Sequence, residues 1–172
     1  PFRQSRKKRK PAAKTLRKKT AKSSADGAAQ PDWASLLERI RSHVNMEILP
    51  SVSAVAEHHR DPYHVLVSTV ISLRTKDQVT FQASDRLFAQ APDAAALAAL
   101  SEEEIAGLIY PAGFYRTKAR NLRAIARALQ EENGGAVPAT EDGLLALPGV
   151  GRKTANLVLG LGFGIPAICV DT

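Results

Sequence analysis

The chain has 172 residues, 44% of them hydrophobic, and 24 Lys+Arg against 17 Asp+Glu give a formal net charge of +7. This composition excludes a wholly disordered protein and fits one core or at most two small domains. The single cysteine, Cys169, excludes an internal disulfide framework and any four-cysteine metal site built from these residues alone.

The charge is divided unevenly along the chain. Eleven basic residues, from Arg3 to Lys22, and no acidic ones lie in residues 1–25, so the remainder carries 13 basic and 17 acidic residues. A self-repelling run of this kind buries too little apolar surface to fold, and residues 1–31 are expected to be a disordered basic tail. Its natural partners are polyanions, nucleic acid ahead of an acidic membrane surface, unless it is only a solubilising or targeting extension. The run Arg6-Lys7-Lys8-Arg9-Lys10 reads equally as a nuclear address or a DNA-binding arm. No stretch approaches about 18 consecutive apolar residues and the tail has no apolar h-region, so neither a membrane span nor a secretory signal is expected.

From Asp32 the patterns are helical. Leu36, Leu37, Ile40, Val44 and Ile48 form one apolar stripe, with Asp32 or Ser35 as cap and Pro50 as terminator. Asp61-Pro62 places a cap before a proline, and Tyr63 to Leu73 is apolar on nearly every side, as in a helix buried at the centre of a bundle. Asp77 is expected to cap a helix burying Val79, Phe81, Ala83, Leu87 and Phe88. Asp93 begins a short alanine-rich helix, and Ser101 with Glu104 forms a capping box for the next. Pro111 and Gly113 break that one. Arg116 to Glu132 then presents Ala119, Leu122, Ile125, Ala126 and Leu129 on one face and stops at Gly134-Gly135. Thr140 caps a short segment, and a last helix runs from Gly151 to about Leu161. Seven or eight short helices make residues 32–172 an all-α domain, a multi-helix bundle.

Leu147-Pro148-Gly149-Val150-Gly151-Arg152-Lys153-Thr154-Ala155 is the most specific feature. Gly149 and Gly151 can take φ > 0, Val150 points between two helices, and Ala155 lets them cross tightly. Such a turn aims backbone N–H groups outward at a helix start, which is a phosphate site; the plainer alternative is an αα-turn whose glycines serve packing. Lys153 lies in the first turn of the second helix, where the dipole opposes a cation, and an amine beside a phosphate-binding turn is the nucleophile a Schiff base at a sugar carbon requires. Asp171 is the nearest downstream carboxylate; its alternative role, compatible with the first, is that of helix N-cap together with Thr172.

LPGVGRKTAN (residues 147–156), followed by Cys169-Val170-Asp171-Thr172, resembles the helix-hairpin-helix DNA glycosylase superfamily, and within it the endonuclease III branch. The resemblance extends through SLRTKDQVT (72–80), LIYPAGFYRTKA (108–119) and residues 133–138, covering essentially residues 33–172. It implies a bundle of six-helix barrel type with a helix-hairpin-helix motif. It further implies base-excision repair by a bifunctional enzyme that removes oxidised pyrimidines from duplex DNA and cleaves the abasic site by β-elimination. Lys153 matches the family nucleophile and Asp171 the family carboxylate. The resemblance makes Arg74 and Phe114 candidates for filling the gap left by an extruded nucleotide. Gly149, Val150, Gly151 and Arg152 of the hairpin, with Arg116 and Lys118 beside the Phe114 turn, are the remaining expected DNA contacts. The implied partner is double-stranded DNA with damaged bases or abasic sites, bound by a monomer without a membrane. The implied compartment is the cytoplasm or nucleoid of a bacterium, or a eukaryotic nucleus.

Two departures from the family pattern stand out. Arg74 occupies a position that is commonly glutamine, placing charge and a planar fork where an amide would face the opposite base. The family also continues beyond this motif with a histidine, helices closing the second side of the DNA cleft, and four cysteines holding a [4Fe-4S] cluster. Those ligands are not in this sequence, Cys169 is expected to be a buried small apolar residue, and weak or absent activity is expected of these 172 residues by themselves. Two rival readings are a monofunctional adenine-type glycosylase, against which Lys153 counts, and a non-catalytic helix-hairpin-helix module in which Lys153 merely contacts phosphate.

Overall fold

The computed structural model describes residues 32–43, 49–59 and 61–170. The basic tail, Val44, Ile48, Asp171 and Thr172 lie outside the described residues, as do the expectations attached to them. The chain divides into two compact units, Pro1–Val44 and Asn45–Thr172. The described part of the first is helix α1 (Trp33–His43), where Asp32 Oδ1 accepts from the Ser35 N–H at 3.2 Å and Leu36, Leu37 and Ile40 are all exposed.

The second unit is all-α among its described residues and is organised around α3 (Pro62–Ser72). Its eight residues Tyr63 and Val65–Ile71 are buried, so the apolar run is a helix covered on nearly all sides, with Asp61 as its cap. Around it pack α2 (Ser51–His59), α4 (Asp77–Gln90), α7 (Tyr115–Asn133), α9 (Arg152–Leu157) and the π-helical segment Val158–Gly162 that continues α9. Two short helices, α5 (Ala94–Ala99) and α6 (Glu102–Ile109), lie against α7, and α8 (Glu141–Ala146) pairs with α9 through the hairpin. Burying a side chain such as Leu66 or Ile71 completely contributes about 1.5–3 kcal/mol. The many such residues on α3 make it the part of the bundle least tolerant of truncation.

Local chemistry explains most boundaries. Asp93 accepts from the Ala96 N–H at 2.8 Å, Thr140 from the Gly143 N–H at 3.2 Å, and Ser101 and Glu104 complete both arms of the capping box. Gly134 closes α7 at φ 59°. Three features differ from the sequence reading. Helix α2 was not foreseen, because Val52, Val55 and Ala56 are its only buried apolar side chains and Pro50 before it reads as a terminator. Asp77 is the first residue of α4 and not its cap: Lys76 holds that position without a side-chain bond, and Asp77 accepts from the Ser51 hydroxyl at 3.1 Å. Phe81 is 49% exposed because α4 turns Thr80 and Ser84 toward the core.

Candidate nucleic-acid interface

A cleft of about 630 Å³ is lined by Ser72, Leu73, Arg74, Phe114, Thr117, Lys118, Asn121 and Lys153. It gathers four of the residues singled out in the sequence, Arg74, Phe114, Lys118 and Lys153, from three stretches far apart in the chain.

Arg74 and Phe114 share an uncommon backbone state. They are the two non-glycine residues with positive φ among the described ones, at 53° and 56°. Left-handed geometry costs an L-residue about 1–2 kcal/mol, so the surrounding structure must impose it. The Arg74 guanidinium lies 5.7 Å from the centroid of the Phe114 ring, and Phe114 is 64% exposed. Gly113 permits the two loops to meet: a Cβ there would sit 2.4 Å from the Arg74 carbonyl oxygen. Its N–H donates to Thr75 Oγ1 at 3.1 Å.

Lys118 does not present its charge to the surface as expected of a phosphate contact. It is buried, and its ammonium donates to the carbonyls of Ile71 and Leu73, each at 2.6 Å, and to Thr75 Oγ1 at 2.7 Å. Three donors meet three acceptors, which saturates the group inside the protein. Burial lowers its pKa from 10.5 to about 8. Arg116 does not line the cleft: it lies over the Tyr115 ring at 5.5 Å, beside Glu102, Glu103 and Arg120 on one side and Phe114 and Thr117 on the other.

At the hairpin, Gly149 takes φ +74°, and a Cβ there would lie 2.7 Å from Asn121 Nδ2. Gly151 departs from expectation: as the N-cap of α9 it is extended at φ −104°, the ordinary conformation of a residue entering a helix. A Cβ on Gly151 would meet open space. Val150 is buried and its N–H is bonded to the Leu147 carbonyl at 3.2 Å, so neither its side chain nor its amide faces outward. Pro148, Gly149, Gly151 and Arg152 are exposed, ahead of a helix start with no side-chain cap. Lys153 follows in the first turn of α9, and Ala155 is fully buried where the helices cross.

The chain leading toward Asp171 is fastened to α9. Asn156 Nδ2 donates to the Ile168 carbonyl at 2.9 Å, and Cys169 Sγ donates to the Lys153 carbonyl at 3.7 Å. Cys169 is exposed, contrary to the expectation of a buried thiol, because the segment after Gly164 runs along the outside of α9. The residues present do not fit a four-thiolate iron–sulfur cluster, since the sequence holds one cysteine. Among the described residues no group of three or more His, Cys, Asp or Glu could hold a metal ion.

Sequence reasoning missed the part played by Lys118, Thr75 and Asn121. A signal for Lys118 was present: it stands at the head of the stripe formed by Leu122, Ile125 and Leu129, in register with buried positions.

Comparison with known proteins identifies the family. The family described as HhH-GPD superfamily base excision DNA repair protein matches residues 67–172. Endonuclease III of Thermotoga maritima is 49% identical over 112 residues, 65% of this chain and 53% of that protein. Endonuclease III-like protein 1 of Bos taurus is 36% identical over 150 residues, 82% of this chain and 49% of that protein. The chain thus spans about half the length of the curated relatives it matches. Among solved structures, a trapped endonuclease III–DNA covalent intermediate superposes with a TM-score of 0.68 at 34% identity, covering 80% of this chain and 61% of that one. A thermostable thymine-DNA glycosylase gives 0.71 at 28% identity, covering 80% of this chain and 62% of that one. The chain belongs to the HhH-GPD superfamily of base excision DNA repair proteins, in its endonuclease III branch.

Proposed function

We propose that the protein carrying this chain is a bifunctional DNA glycosylase of base-excision repair, acting on oxidised pyrimidines in duplex DNA and cleaving the resulting abasic site. The observation that carries this reading is the cleft that Lys153 lines together with Arg74 and Phe114. An extruded nucleotide leaves a gap to be filled and a sugar to be attacked, and unpairing costs a few kcal/mol, least for a damaged base. Arg74 and Phe114 fill the gap from two loops. Gly149, Gly151 and Arg152 hold backbone phosphate at the hairpin, with Arg116 farther out.

The Lys153 amine attacks the sugar C1′, the C1′–N glycosidic bond breaks, and the departing base takes a proton from the attacking amine. The amine then loses a proton as the sugar ring opens to the imine, a step that Asp171 assists while stabilising positive charge on the sugar. Loss of a C2′ proton expels the 3′ phosphate by β-elimination, and water releases Lys153.

Borohydride reduction of the imine tests the assignment. The protein is expected to form a covalent complex with abasic-site duplex, and Lys153→Ala to form none. A complex that survives Lys153→Ala places the nucleophile elsewhere. No complex with the unsubstituted protein rejects the lyase and leaves a monofunctional glycosylase or a DNA-binding module.

A further inference from the structure

We infer that Lys118 is the positioning residue of this interface: seated on the Ile71 and Leu73 carbonyls and on Thr75 Oγ1, it holds Arg74 and Phe114 in the left-handed geometry in which they line the cleft. The inference rests on the gap-filling role proposed above for those two residues.

Its basis is a complete hydrogen-bond account. Helix α3 ends at Ser72, and the carbonyls of Ile71 and Leu73 belong to its C-terminal turn, the negative end of the helix dipole. The Lys118 ammonium takes both and spends its third donor on Thr75. Thr75 Oγ1 has two lone pairs and one proton: it accepts from Lys118 and from the Gly113 N–H, and donates to the Leu73 carbonyl at 3.4 Å. One hydroxyl thus joins the residue after Arg74 to the residue before Phe114. The adjoining loop is anchored from the other side, where Arg86 of α4 donates to the carbonyls of Leu108 and Tyr110 at the end of α6.

Two features set Lys118 apart from an ordinary surface lysine. It makes no carboxylate ion pair among the described residues, and its partners are neutral oxygens of the 71–75 segment, one of which, Thr75 Oγ1, also accepts from the Gly113 N–H beside Phe114. Burial favours the neutral amine, in agreement with its lowered pKa. The position therefore retains a costly group where an apolar one would fill the same volume.

The test uses the protein that carries this chain with Lys118→Met, Thr75→Val and Thr75→Ser. Two observations need no activity: backbone chemical shifts at residues 74 and 114, and amide exchange at Gly113. In Lys118→Met and Thr75→Val, both residues are expected to leave positive φ and Gly113 exchange to accelerate about tenfold or more, while Thr75→Ser retains the original behaviour. If both residues keep positive φ in a folded Lys118→Met or in Thr75→Val, or if Thr75→Ser loses it, the inference is overturned.

The third observation compares two DNA substrates. Excision of thymine glycol from paired duplex requires extrusion, whereas trapping at an abasic site has no base to extrude. The ratio of the first rate to the second is expected to fall about tenfold in Lys118→Met and Thr75→Val. Equal losses on both substrates mark a merely structural role and reject the inference. Absence of trapping by the unsubstituted protein rejects the proposed function instead, and the shift and exchange measurements still decide the positioning role. Should Lys118→Met fail to fold, Thr75→Val decides it, because that variant removes the acceptor through which Lys118 reaches Gly113 and leaves the rest of its seat in place.

Discussion

From α3 onward, the helix starts of the second unit fall into two groups. Helices α3, α5, α6 and α8 are each capped by a side chain, from Asp61, Asp93, Ser101 and Thr140. Helices α4, α7 and α9 have no side-chain cap, and begin after Lys76, Phe114 and Gly151. The uncapped group follows the three loops that carry Arg74, Phe114 and the hairpin. The frame of the bundle has its terminal N–H groups satisfied locally, whereas the loops around the cleft carry left-handed residues and helix starts that lack this satisfaction. Stability and the candidate interface thus occupy different ends of different helices, and substitutions can separate them.

Gly113→Ala is expected to produce the largest effect. Its Cβ would press on the Arg74 carbonyl, a backbone atom that cannot swing aside. One of the two loops must move, costing about 1–3 kcal/mol of stability together with the alignment of Arg74 and Phe114. Urea unfolding and the duplex-to-abasic activity ratio should both fall. A normal ratio in a folded Gly113→Ala protein would break the link between the two loops.

A pair of smaller substitutions contrasts the two groups directly. Asp93→Ala removes a cap and is expected to cost about 1 kcal/mol while leaving DNA binding and trapping unchanged. Phe114→Gly relieves left-handed strain at a largely exposed side chain, so stability should hold or rise by less than about 1 kcal/mol. Excision from paired duplex should nevertheless drop. If Phe114→Gly destabilises as much as Asp93→Ala, the ring belongs to the frame and not to the interface.

This division also determines what could be read from the sequence. Asp61, Asp93, Ser101 with Glu104 and Thr140 announce their helices because capping acts within three residues. The buried stripe of α7 and the burial of α3 follow from composition over one or two turns. Lys118 resisted the same treatment, since its acceptors lie 43 to 47 residues upstream and its residue type suggests solvent. Gly151 was ambiguous because glycine permits either sign of φ, and its role as N-cap selects the extended one. Arg74 and Phe114 could be nominated only through resemblance; their shared backbone state emerges when two distant loops meet at Gly113.

The finest distinction between frame and interface is in the pH dependence of stability, where both contain a group that makes stability rise with pH, for opposite reasons. In the frame, the Ser101 backbone N–H, and then its hydroxyl, hold the Glu104 carboxyl below its ordinary 4.5. The fold favours its charged form, and that contribution is lost as pH falls below about 4.5 toward the folded-state pKa. At the interface, burial holds Lys118 at about 8 against 10.5, so the fold disfavours its charged form. Between those two values the unfolded chain binds a proton that the folded chain has released, and unfolding becomes harder as pH rises. Urea titrations should therefore show the difference between unsubstituted protein and Ser101→Ala shrinking at the acid end. The difference between unsubstituted protein and Lys118→Met should move in favour of the unsubstituted protein from about pH 8 to 10.5. A flat alkaline difference would mean that Lys118 is solvated in the native state, and with that its grip on Arg74 and Phe114 would be lost as an explanation.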